Sequence, residues 1–272
     1  LKRLPVTEEI ASPNLVGPAS LRYLAKYSSS PSLIMNRDPQ EELSCSVVIP
    51  CHNEAGNIFQ CLNRIPDMGS FLEIIVVNDG SKDETADIVE RMMQEDRRIN
   101  LVSYPKRMGK GYAIREGFSS AHGDVFIILD ADMSVAPEEL PKLFNFLKEG
   151  GADFINGTRM IYKMENGSMD RIRFTANRIF CSMINWLLDT NLTDTLCGTK
   201  VFLKKDFQKM HLGKCYWGDC DLLFEAKRLS LKIVEQPIHY KRRKTGKSKM
   251  NKFRIILQCL GIFLIGIKRF KL

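Results

Sequence analysis

The sequence predicts an α/β domain built on a parallel sheet with helices on both faces. Short apolar or β-branched runs recur from Cys45 onward, at Ser46–Ile49, Leu72–Val77, Asn100–Tyr104, Val125–Leu129 and Asp153–Asn156. Stretches of helical pattern separate them, near Glu54–Ile65, Asp83–Arg97, Lys110–His122 and Pro137–Lys148. Strands that are apolar almost without interruption are covered on both faces, and their alternation with helices specifies parallel pairing. Polar clusters stand where the runs end, and sheets of this kind bind ligands at the carboxyl ends of their strands.

Taken in order, residues 1–44 differ from the rest of the chain. They are rich in Ser and Pro with one short helical patch near Leu21–Tyr27, and read as a linker or the remainder of an upstream element. The first strand leads into Pro50-Cys51-His52-Asn53, where Glu54 stands at the start of a helix. The second strand ends in Asn78-Asp79-Gly80, and Ser81-Lys82-Asp83-Glu84 is a capped start for the next helix. Gly109-Lys110-Gly111 opens the helix before Val125–Leu129, which runs directly into Asp130-Ala131-Asp132. The second half is less regular. It holds a helix rich in Arg and Asn at Met169–Leu188, the polar stretch Thr193–Lys200, a helix at Asp219–Leu229 and a strand at Lys232–Glu235.

The 272 residues suit one large domain or two small ones, and a charged fraction of 26% excludes a collagen-like or wholly disordered chain. No apolar run reaches the roughly 18 residues of a membrane-spanning helix. The eight cysteines form no C-x-x-C pair and read as buried reduced thiols, pointing to a cytosolic face. The net charge of +8 has one source: Lys241–Arg254 holds eight basic residues and no acid. One basic segment without a nucleic-acid-binding motif suits a phosphate or an acidic membrane surface better than DNA or RNA.

Asp130 and Asp132 sit one residue apart at a strand end, where side chains two positions apart share a direction. Paired anions of this kind suit a hard divalent ion, Mg²⁺ or Mn²⁺, which takes one or two carboxylates together with substrate phosphates. Asp79, in its Gly-Ser turn, is placed to accept hydrogen bonds from a base or ribose. The amides around Gly109 and the ammonium of Lys110 suit phosphate. His52, His122, His211 and His239 lack metal-like spacing, and Trp186 and Trp217 are expected to pack.

"SVVIPCHNEAGNI", "EIIVVNDGSKDETADIV", "GKGYAIREGF" and "GDVFIILDADMS" resemble, in order, the motifs of family 2 glycosyltransferases. The resemblance spans residues 45–250 and implies the GT-A fold, a mixed, mostly parallel sheet. "NGTR", "DTLCGTKVF", "GDCDLLFEAKRLSLKIVEQPIHY" and "RRKTGKSKM" look most like the polyprenyl-phosphate sugar transferases, dolichyl-phosphate mannose and glucose synthases among them. By that resemblance Pro50, Glu54 and Asp79 hold the nucleotide, Asp130 and Asp132 the metal and diphosphate, and Arg243 reaches phosphate. The sequence departs from the mannose-synthase pattern at Ser134, where that pattern has glutamine.

The implied reaction is inverting transfer from a nucleoside-diphosphate sugar. A hydroxyl acceptor needs a general base, whereas a phosphate acceptor is already ionised and needs cations. Arg159, Arg173 and Lys249 are the candidates for that phosphate. Asp194 is either the base for a hydroxyl or an orienting partner for one of these arginines. The apolar tail Ile255–Ile267, between basic ends, reads as a helix lying in an anionic membrane interface, or alternatively as a core helix; residues 251–272 are set apart on this ground. The enzyme is then peripheral on the cytoplasmic face of a membrane. Two alternatives stand beside this reading: a soluble family 2 enzyme acting on a sugar or protein hydroxyl, and a non-catalytic nucleotide-sugar binding module.

Overall fold

The computed structural model describes residues 42–165, 168–169, 171–213, 218–243, 245 and 252–272, the side chains of 252–256 aside. The helical patch at 21–27, Trp217 and Lys249 lie outside the described residues. The sheet is assembled from β1 (Cys45–Cys51), β2 (Leu72–Asp79), β3 (Ile99–Tyr104), β4 (Val125–Ile128), β5 (Phe154–Thr158), β6 (Lys200–Leu203) and β7 (Ile233–Pro237). Its order is β3-β2-β1-β4-β6-β5-β7. The pairs β1–β2, β1–β4, β2–β3 and β5–β7 are parallel, while β6 runs antiparallel to both β4 and β5. The sheet is therefore mixed and mostly parallel, as the resemblance implies.

Eight α-helices complete the described chain. They are α1 (Ala55–Asn63), α2 (Thr85–Glu95), α3 (Lys110–Ser119), α4 (Leu140–Lys148), α5 (Arg171–Leu188), α6 (Lys204–Phe207), α7 (Asp219–Arg228) and α8 (Lys252–Phe270). Alternate residues of each strand point to opposite faces, so β1 sends Val47 and Ile49 into one core and Val48 into the other. α1, α2 and α4 cover the first face through Ile58, Leu62, Val89, Leu143 and Phe144. α3, α5, α7 and α8 cover the second through Ile114, Phe118, Phe180, Ile184, Leu223 and Ile262.

Two helix starts differ from the sequence expectation. α2 begins at Thr85 rather than Asp83, because the Asp83 carboxylate turns to the Thr85 amide and hydroxyl and to the Ala55 amide. Glu54 occupies the N-cap of α1, but its side chain makes no capping bond there and points elsewhere.

The C-terminal helix has one docked face and one exposed face. One face is docked: Ile262 is buried, and Phe263, Ile267 and Phe270 pack on the second core. A Cβ on Gly266 would press on the Leu187 side chain and stand 3.1 Å from the Phe224 ring, so glycine lets α8 lie this close to α5 and α7 without moving them. The opposite face leaves Leu257, Leu260, Leu264 and Ile265 about half exposed. No described helix is long and apolar enough to cross a membrane. Trp186 departs from expectation: it is 60% exposed, with Phe263 at 6.2 Å and the Lys271 ammonium 5.1 Å from its ring.

Candidate active site

The polar clusters converge at the carboxyl ends of β1, β2 and β4, the place where parallel sheets of this class take ligands. The loops there are cross-braced. Asn53, in the left-handed region at φ 52°, accepts the Lys82 amide at 2.7 Å, and its own amide donates to the Ser81 hydroxyl. His52 Nδ1 lies 2.8 Å from the Asp79 carbonyl oxygen, a satisfied histidine as its spacing suggests. Pro50 lies beside Val77 on the same ladder.

Asp79 is buried and holds the loop before α3. Its two oxygens accept the amides of Met108, at 2.5 Å, and Gly109, at 2.8 Å. These bonds fix where α3 starts and therefore where Lys110 points. The Lys110 ammonium lies 2.7 Å from Asp130 Oδ1 and 3.4 Å from Asp219 Oδ2. Burial works against both charges of the Lys110–Asp130 pair. Their mutual attraction outweighs it, raising the ammonium's pKa and holding Asp130 below the usual carboxylate range. Asp219 goes the other way: burial raises its pKa, and its Oδ1 is buried without a hydrogen-bond partner among the described residues.

Asp132 is held differently. Met133 turns into the left-handed region at φ 58°, and the Ser134 amide donates to Asp132 Oδ1 at 3.0 Å. Arg243 Nη1 stands 3.5 Å from the other oxygen, while Nη2 donates to both Glu54 oxygens. The segment carrying Arg243 is strapped down on each side. The Lys241 amide donates to the Ser134 carbonyl at 2.8 Å, and the Thr245 hydroxyl donates to the Gly56 carbonyl at 3.1 Å. Each acid of the D-x-D pair thus already faces a cation of the chain, Lys110 or Arg243. Gly198 closes over them: a Cβ there would meet Asp130 Oδ2 at 2.4 Å and Lys110 Nζ at 2.7 Å.

The candidate acceptor side is a second, buried arrangement. Arg159 Nε and Nη2 reach Asp194 at 2.5 and 2.8 Å, and its guanidinium stands 5.1 Å from the Tyr240 ring. Asn177 of α5 and the Arg159 amide also donate to Asp194, at 3.1 and 3.2 Å. Burial opposes the Asp194 charge, yet the guanidinium beside it keeps the carboxyl below its ordinary range. Behind it Glu235 accepts the Thr193 and Asp194 amides, and burial pushes Glu235 up to about 7. Arg173 lies one turn before Asn177 on the same face of α5.

The structure therefore brings Glu54, Asp79, Lys110, Asp130, Asp132 and Arg243 into one constellation, and Arg159 and Asp194 into another. Sequence reasoning missed Asp219 and Lys200 as site residues. Lys200 is fully buried at the start of β6, donates to the Cys197 carbonyl, and its charge acts on Asp130 and Asp219. A lysine opening a strand and an acid following Gly218 were the only signals for them.

The chain has relatives among known proteins. It is 29% identical over 221 residues to glycosyltransferase AglD of Haloferax volcanii, covering 78% of this chain and 35% of that protein's length. It is 30% identical over 219 residues to the undecaprenyl-phosphate mannosyltransferase of Micrococcus luteus, covering 75% of this chain and 86% of that one. The chain spans about a third of the first relative and most of the second. Among solved structures it resembles glucosyl-3-phosphoglycerate synthase from Mycobacterium tuberculosis, in complex with Mn²⁺, uridine-diphosphate and glucosyl-3-phosphoglycerate. That likeness has a TM-score of 0.62 at 18% identity over 85% of this chain and 81% of the other, and shows the GT-A-like fold. Residues 46–210 match the family model for glycosyl transferase family 2, from the first strand through the D-x-D acids and beyond β6, and the chain belongs to that family.

Proposed function

We propose that this protein transfers a sugar, with inversion, from a nucleoside-diphosphate sugar to a polyprenyl phosphate, working peripherally on the cytoplasmic face of an anionic membrane. The observation that carries the acceptor class is the Arg159–Asp194 pair. Asp194 is fully buried and takes hydrogen bonds from Arg159 and Asn177, so using it as a base would break a buried ion pair. An acceptor that arrives ionised needs no base. It needs cations, and Arg159, Arg173 and Lys249 supply them; Arg159 is oriented for the task by Asp194. The Micrococcus relative, named for transfer to undecaprenyl phosphate, supports the same class.

On the donor side, Asp79 sets the 108–109 loop against which the nucleoside rests, and Pro50 and Glu54 line the same end of β1. Asp130 and Asp132 are the residues to hold Mg²⁺ or Mn²⁺. The donor set fits: two carboxylates one residue apart, with glycine rather than a side chain over Asp130. Such an ion, when bound, offsets charge that builds on the leaving diphosphate. Lys110 and Arg243 act on the same charge from the protein side. Both are preorganised by carboxylates, so little reorganisation is needed when the sugar bond breaks. The outward face of α8, with Leu257, Leu260, Leu264 and Ile265 beside Lys268 and Lys271, supports contact with an anionic membrane surface.

A second reading has one observation in its favour. Asp219 is buried, its pKa is raised, and its Oδ1 lacks a partner among the described residues, the properties of a base for a hydroxyl acceptor. A transfer assay separates the two. The panel is nucleoside-diphosphate sugars with short polyprenyl phosphates or simple sugar hydroxyls, in Mg²⁺, Mn²⁺ or a chelator. Transfer to the phosphate that needs a divalent ion and survives Asp219→Asn supports the proposal. Equal transfer to hydroxyls, abolished by Asp219→Asn, establishes the second reading instead.

A further inference from the structure

The second core continues outward into an apolar surface that the donor site does not use. α5 exposes Ile172, Ile179 and Trp186 at 64%, 60% and 60%. Set seven residues apart, they share one side of the helix. α8 runs beside this stripe, and between the helices lies a groove of about 400 Å³ lined by Ile179, Ser182, Met183, Trp186 and Phe263. Contiguous apolar surface of this kind marks the seat of an apolar partner.

Three features choose the occupant. α5 carries both parts: Asn177, one turn after Arg173, donates to Asp194, the partner of Arg159, and Ile172 opens the exposed stripe at that same end of the helix. From Ile172 to Trp186 it covers about 21 Å at 1.5 Å per residue. Neither helix contains an acid; α5 carries Arg171, Arg173 and Arg178, and α8 carries Lys252, Arg254, Lys268 and Arg269. The groove is an open furrow along α5, with Phe263 of α8 at its far side, a shape that lets a single chain lie lengthwise in it. An anionic head with one long apolar chain meets all three conditions.

We propose that the α5 stripe and the α5–α8 groove hold the hydrocarbon chain of the acceptor lipid, running out from Arg173 toward Trp186. The proposal rests on the polyprenyl-phosphate reading above. It makes α5 a two-part ruler: its first turns serve the phosphate, and its last turns the isoprene units.

The test measures binding of prenyl monophosphates of one, two and three isoprene units to the full chain by calorimetry, with the three-unit alcohol as a comparison. Each buried methylene strengthens binding, so affinity should rise at least about tenfold from one unit to three. Ser182→Phe fills the groove and Trp186→Ala removes its wall. Both positions are exposed, and unchanged affinity for the donor's nucleoside diphosphate verifies the fold. In both variants the gain with chain length should shrink below about threefold, while the one-unit phosphate binds as before. A full gain with chain length in both variants overturns the proposal. So does a loss of sedimentation with phosphatidylglycerol vesicles while that gain is kept, since the surface then belongs to the bilayer. If the three-unit alcohol binds as tightly as its phosphate and the one-unit phosphate not at all, the groove stands and the phosphate reading fails.

Discussion

Replacing Arg159 with methionine removes one half of an ion pair whose other half cannot reach water. The Arg159 side chain is 13% exposed and that of Asp194 is fully buried. Methionine keeps most of the aliphatic stem against Tyr240 and deletes the two N–H groups that bind the carboxylate. Breaking such a pair from one side costs about 3–5 kcal/mol at neutral pH, because the remaining charge stays buried. The pH dependence gives the sign. In the native protein the Asp194 pKa lies below its unfolded value of about 3.9, so its contribution is complete above that pH and is lost on further acidification. In Arg159→Met the cation is gone and burial dominates, so the folded-state pKa moves above the unfolded one. The deficit is then largest at neutral pH and shrinks as acid neutralises Asp194, by at least about 1 kcal/mol on moving from about pH 7 to pH 4.5. Urea unfolding at the two pH values measures both numbers, with the m-value as a check that the transition keeps its character. The double variant Arg159→Met with Asp194→Asn should recover at least half the loss, since no unpaired charge remains. A deficit below about 1 kcal/mol at pH 7, or one that ignores pH, would refute the reasoning.

Asp132→Ala should lower turnover by about two orders of magnitude and leave urea stability nearly unchanged, because the side chain is partly exposed; a chelator should act on the native enzyme in the same way. Gly198→Ala places a methyl group against Asp130 and Lys110, so donor affinity should fall at least about tenfold, at a stability cost of about 1–3 kcal/mol measured by thermal unfolding. Asp79→Ala leaves the Met108 and Gly109 amides without their carboxylate, and calorimetry should show weaker nucleoside diphosphate binding together with a lower melting temperature. Unchanged nucleotide affinity in Asp79→Ala would mean that the 108–109 loop does not shape the donor site.

The parts of this fold legible in the sequence are those whose signal is local. β1, β2 and β4 are runs such as SVVI, LEIIVV and VFII, apolar on both faces because helices cover both, and the acids at their ends follow directly. β6 was not legible. It has four residues, opens on a lysine that is nonetheless fully buried, and owes its existence to antiparallel pairing with β4 and β5 on either side. Asp219 was seen only as part of a motif, because the residue that gives it meaning is Lys110, brought near by tertiary folding. Asp194 reads in the sequence as a choice between base and partner, and its contacts with Arg159 and Asn177, which come from distant segments, carry no local signal. Trp186 departs for the opposite reason: hydrophobicity predicts burial, but its face of α5 is left largely open, with Phe263 of α8 and Lys271 at one edge of the ring.

Arg243 and Glu54 meet across a separation of 189 residues. On a ribosome adding about 5–20 residues per second, Glu54 therefore waits roughly 10–40 s for the arginine that completes its end of the site. During that interval β1 to β4 can already pair, since each of them has its parallel neighbour within the first half of the domain. The carboxyl ends of β1, β2 and β4 can thus be in place well before the strap that binds across them. Until residue 243 is added, Asp132 and Glu54 lack their shared counter-charge, the cation proposed above to meet the leaving diphosphate. The fold makes this constellation depend on a residue synthesised long after the acids it joins, a timing that no single residue encodes.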